Sequence, residues 1–180
     1  MKKFYTLMTV VLLCISFTGC LGPSSTSEEK TNSAPTILNL GESFVIDNLQ
    51  MTVDSYEFSD YLGGLDGLNK VEKGLKYCVV HVTVKNLDNS TKYLTEGTLF
   101  KNTKYSSQII FDKKYEYNST WAQYTDFFDA HESIPALGEI SCCFSYEVAE
   151  DVETQIDKQL IFEFGLNKTD TTKKCNWKLR

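Results

Sequence analysis

Apolar and polar residues alternate with a period of two along most of the chain after residue 37. In KYCVVHVTVKN, Cys78, Val80, Val82 and Val84 share one side, and the residues between them point to the other. Alternation of this kind, rich in β-branched residues, is typical of a strand with one buried face. The same pattern runs through ISCCFSYEV, QLIFEFG and CNWKL. The chain is therefore predicted to be built mainly from strands.

Further strands are predicted at 43–46, 50–59, 93–99 and 107–111, with turn signals such as LDNS between them. Two charged stretches, DFFDAHES and EDVETQIDK, have the composition of single helical turns. About seven to nine short strands separated by regular turns indicate an all-β fold, an antiparallel β-sandwich.

The first twenty residues follow a different pattern. Lys2 and Lys3 precede an apolar run over 4–17, and small residues follow. This order is that of a secretory signal peptide, and the run is shorter than the roughly 20 residues of a spanning helix. Phe17-Thr18-Gly19-Cys20 resembles the bacterial lipobox, in which diacylglycerol is attached to the cysteine before cleavage ahead of it. The resemblance implies lipidation of Cys20 and a membrane lipid as partner; an N-terminal transmembrane anchor is the alternative.

Three regions follow from these patterns. Residues 1–19 are predicted to be a lipoprotein signal peptide, and 20–36 the lipidated cysteine with a flexible tether, because LGPSSTSEEKTNSAPT contains almost nothing to bury. Residues 37–180 are predicted to form one domain. About 140 residues are too few for the two α/β lobes of a conventional solute receptor, so that class is excluded.

Charge restricts the possible partners. The chain has 18 basic and 24 acidic residues, and removal of a signal peptide containing Lys2 and Lys3 leaves 16 against 24, a net charge of −8. An acidic chain lacks the positive surface that nucleic-acid binding requires. An anionic membrane surface would also repel it, so the lipid must hold the protein there.

The predicted domain contains four cysteines, Cys78, Cys142, Cys143 and Cys175. An even number in an exported domain favours disulfides, for which three connectivities exist; buried thiols are the alternative. Cys142 and Cys143 are adjacent and so face opposite sides of their strand, which is poor geometry for binding one metal ion.

Three motifs resemble domain-of-unknown-function family 4352. They are Gly74, the strand end Val84-Lys85-Asn86, and Pro135-Ala136-Leu137-Gly138-Glu139 before an apolar strand. The family consists of immunoglobulin-like β-sandwich domains of exported bacterial proteins, often lipoproteins. The resemblance implies that fold for residues 40–180 and brings no established active site.

The sequence shows no motif of a known enzyme class, and we expect no catalytic residues and no cofactor. Asp126, Asp129, His131 and Glu132 lie within seven residues, but their spacing fits neither an EF-hand nor a zinc-protease motif. We interpret them as a charged loop and predict no metal site. His81 is predicted to lie on the outward face of its strand.

The stretch YEYNSTWAQYTDFF is unusually aromatic. If exposed, Tyr117, Trp121 and Tyr124 would form a patch able to bind a surface protein or a cell-wall glycan. The alternative is that these rings fill the open end of the sandwich. The glycine-rich YLGGLDGLNKVEKG is the second loop expected to take part in recognition.

Together these features predict a lipid-anchored protein on the extracytoplasmic face of a bacterial cell membrane. Its domain is expected to act as a binding or interaction module with an unknown ligand. The alternative is an accessory lipoprotein with a structural role in envelope maintenance or transport. An enzyme with an unrecognised site is the least favoured hypothesis.

Overall fold

The computed structural model describes residues 36–62, 70–94, 105–118, 121–123, 133–166 and 173–180, with the backbone alone for 121–123. The predicted signal peptide, Cys20 and almost all of the predicted tether therefore lie outside the described residues. None of the helices among the described residues is long and apolar enough to span a membrane.

Twelve strands and one short helix make up the described part of the chain. They are β1 Ile37–Asn39, β2 Ser43–Ile46, β3 Leu49–Ser59, β4 Leu75–Asn86, β5 Lys92–Tyr93, β6 Tyr105–Phe111, β7 Tyr115–Asn118, β8 Trp121–Gln123, β9 Ser133–Ile134, β10 Glu139–Ala149, α1 Asp151–Thr154, β11 Leu160–Leu166 and β12 Lys174–Lys178.

Two five-stranded sheets form a β-sandwich, as predicted. The sheet with strand order β1-β12-β11-β6-β7 is called the front sheet here, and that with order β2-β3-β4-β10-β8 the back sheet. Strands β5 and β9 form a separate two-stranded ladder. One pairing departs from the predicted antiparallel arrangement, because β1 lies parallel to β12.

The alternating strands bury the faces predicted from the sequence. Cys78, Val80, Val82 and Val84 are completely buried in the core. Strand β10 departs from simple alternation, because Ser145, on its outer face, is also buried. Burial on both faces explains why β10 is apolar over more of its length than a half-exposed strand requires.

Aromatic side chains fill the space between the sheets. The ring of Phe162 on the front sheet lies 5.6 Å from that of Phe144 on the back sheet and 5.8 Å from that of Trp177. Trp177 is fully buried, and its indole Nε1 donates to the Glu42 carbonyl at 2.9 Å. The short turn between β1 and β2 is thereby tied to the core, and the indole keeps the hydrogen bond that its burial requires.

The three family-like motifs meet structural requirements. Asn86 is completely buried, and its Nδ2 donates to the Ser90, Ile134 and Pro135 carbonyls at 2.8, 3.1 and 3.0 Å. Gly138 turns closely against Pro135, since a Cβ at this position would lie 3.1 Å from the Pro135 carbonyl oxygen. Gly74 has φ +85°, a conformation that L side chains rarely adopt. The motifs therefore shape turns rather than a catalytic site.

Several local predictions are now decided. The helical turn in EDVETQIDK is confirmed as α1, whose Val152 is buried in the core. The stretch around Tyr117, expected to be a loop, is instead strand β7, followed by β8. Of the strand predicted at 93–99, the structure has Lys92–Tyr93 as β5, and 95–99 lie outside the described residues, as does most of DFFDAHES.

Candidate functional site on the outer face of the front sheet

A row of polar residues crosses the outer face of the front sheet. Asn118 pairs with Gln108, Gln108 with Glu163, and Glu163 with Asn176 in the strand register. Directly opposed residues in neighbouring strands project from the same face of a sheet. Strands β7, β6, β11 and β12 thus place three amides and one carboxylate in a single line, which we call the amide row.

Glu163 is the centre of the hydrogen bonding in the amide row. Its Oε1 accepts from Gln108 Nε2 at 2.9 Å and from Lys174 Nζ at 2.7 Å. The side chains of Lys174 and Glu163 are only 15% and 13% exposed. A close, largely buried ion pair with a further donor is held in one geometry, unlike a mobile surface pair.

Gly165 makes room for this ion pair. It lies opposite Lys174 in the strand register, and a Cβ at this position would come within 2.6 Å of Lys174 Cγ. The glycine thus lets the lysine side chain lie over the sheet towards Glu163, two residues away on β11.

Asn176, at the end of the amide row, has an unusual environment. Only 6% of the residue is exposed, and its Oδ1 has no hydrogen-bond partner among the described residues. A buried polar atom without a partner costs about 1–3 kcal/mol. The unpaired Oδ1 sets Asn176 apart from Gln108 and Glu163, which are hydrogen-bonded within the amide row.

Sequence reasoning did not find the amide row. Gln108, Glu163 and Asn176 each stand at an outward position of a strand whose inward positions are apolar. The signal was therefore present in each strand separately. The register that aligns the three residues comes only from the structure, because they belong to strands far apart in the sequence.

The four cysteines are all buried thiols, and the structure contains no disulfide between them. Cys78, Cys142 and Cys175 face the core, whereas Cys143 packs on the opposite side of the back sheet. Burial raises the pKa of Cys78 and of Cys142 to about 12, and that of Cys143 and of Cys175 to about 11. Thiols with such pKa values are protonated at neutral pH and are neither good nucleophiles nor metal ligands.

One group on the back sheet resembles a catalytic arrangement and consists of Cys143, His81 and Glu57. No cysteine motif in the sequence indicated it. Cys143 lies opposite His81 in the register, and His81 Nε2 is 3.4 Å from Glu57 Oε1. Burial, with a smaller effect of the Glu57 charge, raises the pKa of Cys143, which is the opposite of nucleophile activation. We interpret the group as part of the outer face of the back sheet, where His81 was predicted to lie.

The predicted aromatic patch is divided between the two sheets. Tyr117 belongs to the front sheet, where it is half-buried and packs against the core, and burial raises the pKa of its hydroxyl. The backbone of Trp121 pairs with Ser145 in the back sheet. Tyr124 lies outside the described residues. Tyr117 is thus better suited to the alternative role of filling the sandwich, and a patch at Trp121 and Tyr124 stays a prediction.

The base of the glycine-rich loop packs on the back sheet. A β-bridge joins Tyr61 and Lys70. Beside it, the side chains of Leu62 and Val71 are buried against Tyr77 on the outer face of that sheet. This part of the loop covers the face of the sheet instead of projecting from the end of the sandwich.

The possible metal ligands Asp126, Asp129, His131 and Glu132 lie outside the described residues. Among the residues that the structure does describe, no group of three or more histidine, cysteine or acidic side chains is arranged to hold a metal ion.

Known structures with the same fold come from several bacteria. A crystal structure of an uncharacterised β-sandwich protein from Clostridium difficile is 20% identical, covering 84% of this chain and 99% of that one, with a TM-score of 0.62. A conserved hypothetical protein from Bacillus anthracis is 14% identical, with 79% and 95% covered and a TM-score of 0.54. The yjhA protein from Bacillus subtilis is 10% identical, with 79% and 99% covered and a TM-score of 0.50.

At these identities the likeness concerns the fold alone. No curated protein matches the chain significantly. Residues 38–162 match the family described as Domain of unknown function (DUF4352), and this range contains all three motifs built around Gly74, Asn86 and Pro135. The chain therefore belongs to the DUF4352 family.

Proposed function

We propose that this protein is a lipid-anchored lipoprotein on the extracytoplasmic face of the cell membrane, whose β-sandwich binds a component of the cell envelope. The positively charged start, the short apolar run and Cys20 directly after Thr18-Gly19 support the anchor. A diacylated cysteine inserts two acyl chains, and two chains are enough for stable attachment.

The amide row is the observation that carries the binding function. It is ordered by the Glu163–Lys174 ion pair and ends in a buried acceptor on Asn176 that lacks a partner. Such an atom calls for an explanation in a native structure, and a ligand that donates to it is one. A rigid sheet also holds these side chains more firmly than a loop would.

Binding is a better account than catalysis for the groups that the structure describes. The thiols are protonated, and Glu163, the carboxylate of the amide row, is already paired with Lys174. A reaction would need a nucleophile or base within reach of a substrate and free to exchange a proton.

The anchor is tested by comparing two cysteine variants in cell fractions. Cys20→Ala should move the protein out of the membrane fraction or block its processing, because no thiol remains at the lipobox position to accept the lipid. Cys14→Ala is the matched control and should behave as the wild type. A Cys20→Ala protein that stays in the membrane with unchanged mobility would contradict lipid anchoring.

The binding function is tested with the full-length protein purified in detergent and mixed with isolated cell-envelope fragments from which the membrane lipid has been extracted. Saturable co-sedimentation with the fragments is expected. If the protein stays in the supernatant at all concentrations, the binding function is wrong, whatever the outcome for the anchor.

A further inference from the structure

We infer that the amide row is a binding site for a neutral glycan, a ligand class that the sequence motifs do not indicate at this position. The inference rests on the proposed binding function and specifies where the ligand lies and what its chemistry is. Four features of the amide row support it.

The first feature is charge. Glu163 and Lys174 neutralise each other at 2.7 Å, and the other members of the amide row, Gln108, Asn118 and Asn176, are uncharged amides. The neighbouring outward row on the same strands adds one exposed residue of each sign, Glu116 and Lys178, so it gives no net preference for an anionic or a basic ligand. The amide row therefore complements a ligand without net charge.

The second feature is the kind of hydrogen bond on offer. Each primary amide carries both donors and an acceptor, and a hydroxyl group likewise donates and accepts. Sugar hydroxyl and acetamido groups present these functions densely along a chain. An apolar ligand would instead leave the amides without partners, at a cost for each buried group.

The third feature is length and shape. Neighbouring strands lie about 4.8 Å apart, so the four strands from Asn118 to Asn176 span roughly 14 Å across a sheet surface. This span suits several sugar units laid across the strands, with each strand contributing one polar contact. A single small molecule would reach only part of the row.

The fourth feature is Asn176 itself. An apolar side chain of similar volume at this position would remove the unpaired Oδ1 and its cost. The asparagine therefore weakens the unliganded domain, a pattern expected of residues retained for binding. The Oδ1 atom itself is covered, so a glycan hydroxyl or acetamido N–H would restore the missing hydrogen bond once the side chain turns towards the outer face.

The amide row favours binding over cleavage of such a glycan. Glycoside hydrolysis requires two carboxyl groups that flank the scissile bond, about 5–9.5 Å apart. Among the residues described in the row, Glu163 is the single carboxylate, and it is engaged by Gln108 and Lys174.

The experiment measures binding of the full-length protein in detergent to three probes whose sugar chains carry no net charge. These are peptidoglycan sacculi stripped of wall phosphate polymers, the N-acetylglucosamine hexamer and cellohexaose. The variants are Gln108→Leu and Asn176→Leu, each compared with Gln50→Leu. Gln50 is a matched control because it is a half-buried glutamine on the outer face of the back sheet.

Wild type and Gln50→Leu are expected to bind at least one of the three probes. Asn176→Leu and Gln108→Leu should weaken that binding at least tenfold, and the unfolding temperature of Asn176→Leu should be equal to or higher than that of wild type. Loss of binding without loss of stability separates a ligand contact from a structural role.

Several outcomes would overturn the inference. These are no binding of any neutral probe by the wild type, binding that Asn176→Leu and Gln108→Leu leave unchanged, and binding only to sacculi that keep their wall phosphate polymers. If wild type and these two variants co-sediment equally with lipid-extracted envelope fragments, the glycan site is wrong while the proposed binding function stands.

Discussion

Asn86 donates a hydrogen bond from its side-chain Nδ2 to the carbonyl of Pro135, 49 residues further along the chain, at 3.0 Å. The same side chain accepts from the Asp88 backbone N–H at 2.9 Å. A second contact between the segments, from the Asn86 backbone N–H to the Gly138 carbonyl at 2.8 Å, lies alongside. One buried amide therefore links the end of β4 to the turn that begins β10, which explains why both segments appear as family motifs.

Replacing Asn86 with alanine should lower the free energy of unfolding by about 3 kcal/mol or more. The substitution removes four side-chain hydrogen bonds to backbone groups, one of them fully buried, and a buried group left without its partner costs about 1–3 kcal/mol. Urea denaturation measures the change. Asn89→Ala is the control, because Asn89 is exposed in the same loop, and it should stay within about 0.5 kcal/mol of wild type. Equal stability of the two variants would show that Asn86 has no such linking role.

Replacing Gly165 with alanine should destabilise the domain by about 1–3 kcal/mol, the usual cost of forcing extra volume into a packed site. The new Cβ would meet Lys174 Cγ at 2.6 Å and the Lys173 carbonyl oxygen at 2.8 Å. Thermal denaturation provides the measurement, and Gly41→Ala tests the alternative that any glycine change has this effect. A Cβ added at Gly41 would have nothing within 4 Å, so Gly41→Ala should lower the stability only through its backbone angle of φ +81°. It should not alter ligand binding at the amide row.

The buried thiols predict a loss of stability at alkaline pH. Burial raises the pKa of Cys142 from 9.0 to about 12, so between these values the folded state holds a proton that the unfolded state has released. The free energy of unfolding should therefore be insensitive to this thiol below pH 9. Above it the stability should fall by up to about 1.4 kcal/mol per pH unit.

The contribution of this thiol is isolated by comparing wild type with Cys142→Ala in urea denaturation between pH 8 and pH 10.5. The variant should lose stability less steeply above pH 9, whatever its stability at pH 8. Parallel curves for the two proteins across this range would contradict a raised pKa for Cys142.

The cysteines themselves are predicted to react only after unfolding. All four lie at 6% exposure or less, so an alkylating reagent should leave them unmodified in the native protein. In denaturant without reductant, peptide mass spectrometry should find all four alkylated. A peptide pair that appears only after reduction would show a disulfide that the structure does not contain.

The strands could be predicted from the sequence wherever alternation was strict. Val80 and Phe162 stand on inward faces in both the prediction and the structure, because period-two burial is a local property of the chain. The parallel pairing of β1 could not be predicted in this way. Ile37 lies beside Asn176 because of the overall topology, and three residues carry too little pattern to indicate a partner.

The candidate site was harder to predict than the fold for the same reason. Aromatic residues such as Tyr117 attracted a binding hypothesis by composition, but composition does not tell which sheet a residue joins or how deeply it lies. Glu163 and Gln108, by contrast, are ordinary polar residues in their strands. Their importance arises from alignment across 55 residues of sequence, which depends on strand register.

The most direct test of the account is nuclear magnetic resonance of the side-chain amide groups in the full-length ¹⁵N-labelled protein, as the bound glycan probe is added. The NH₂ signals of Gln108, Asn118 and Asn176 are expected to shift together and to saturate. Those of Gln50 on the back sheet and Asn86 in the buried loop contact should stay unchanged. Shifts confined to residues away from the amide row, or no shifts at saturating glycan, would contradict the claim that the front sheet is the binding surface of this protein.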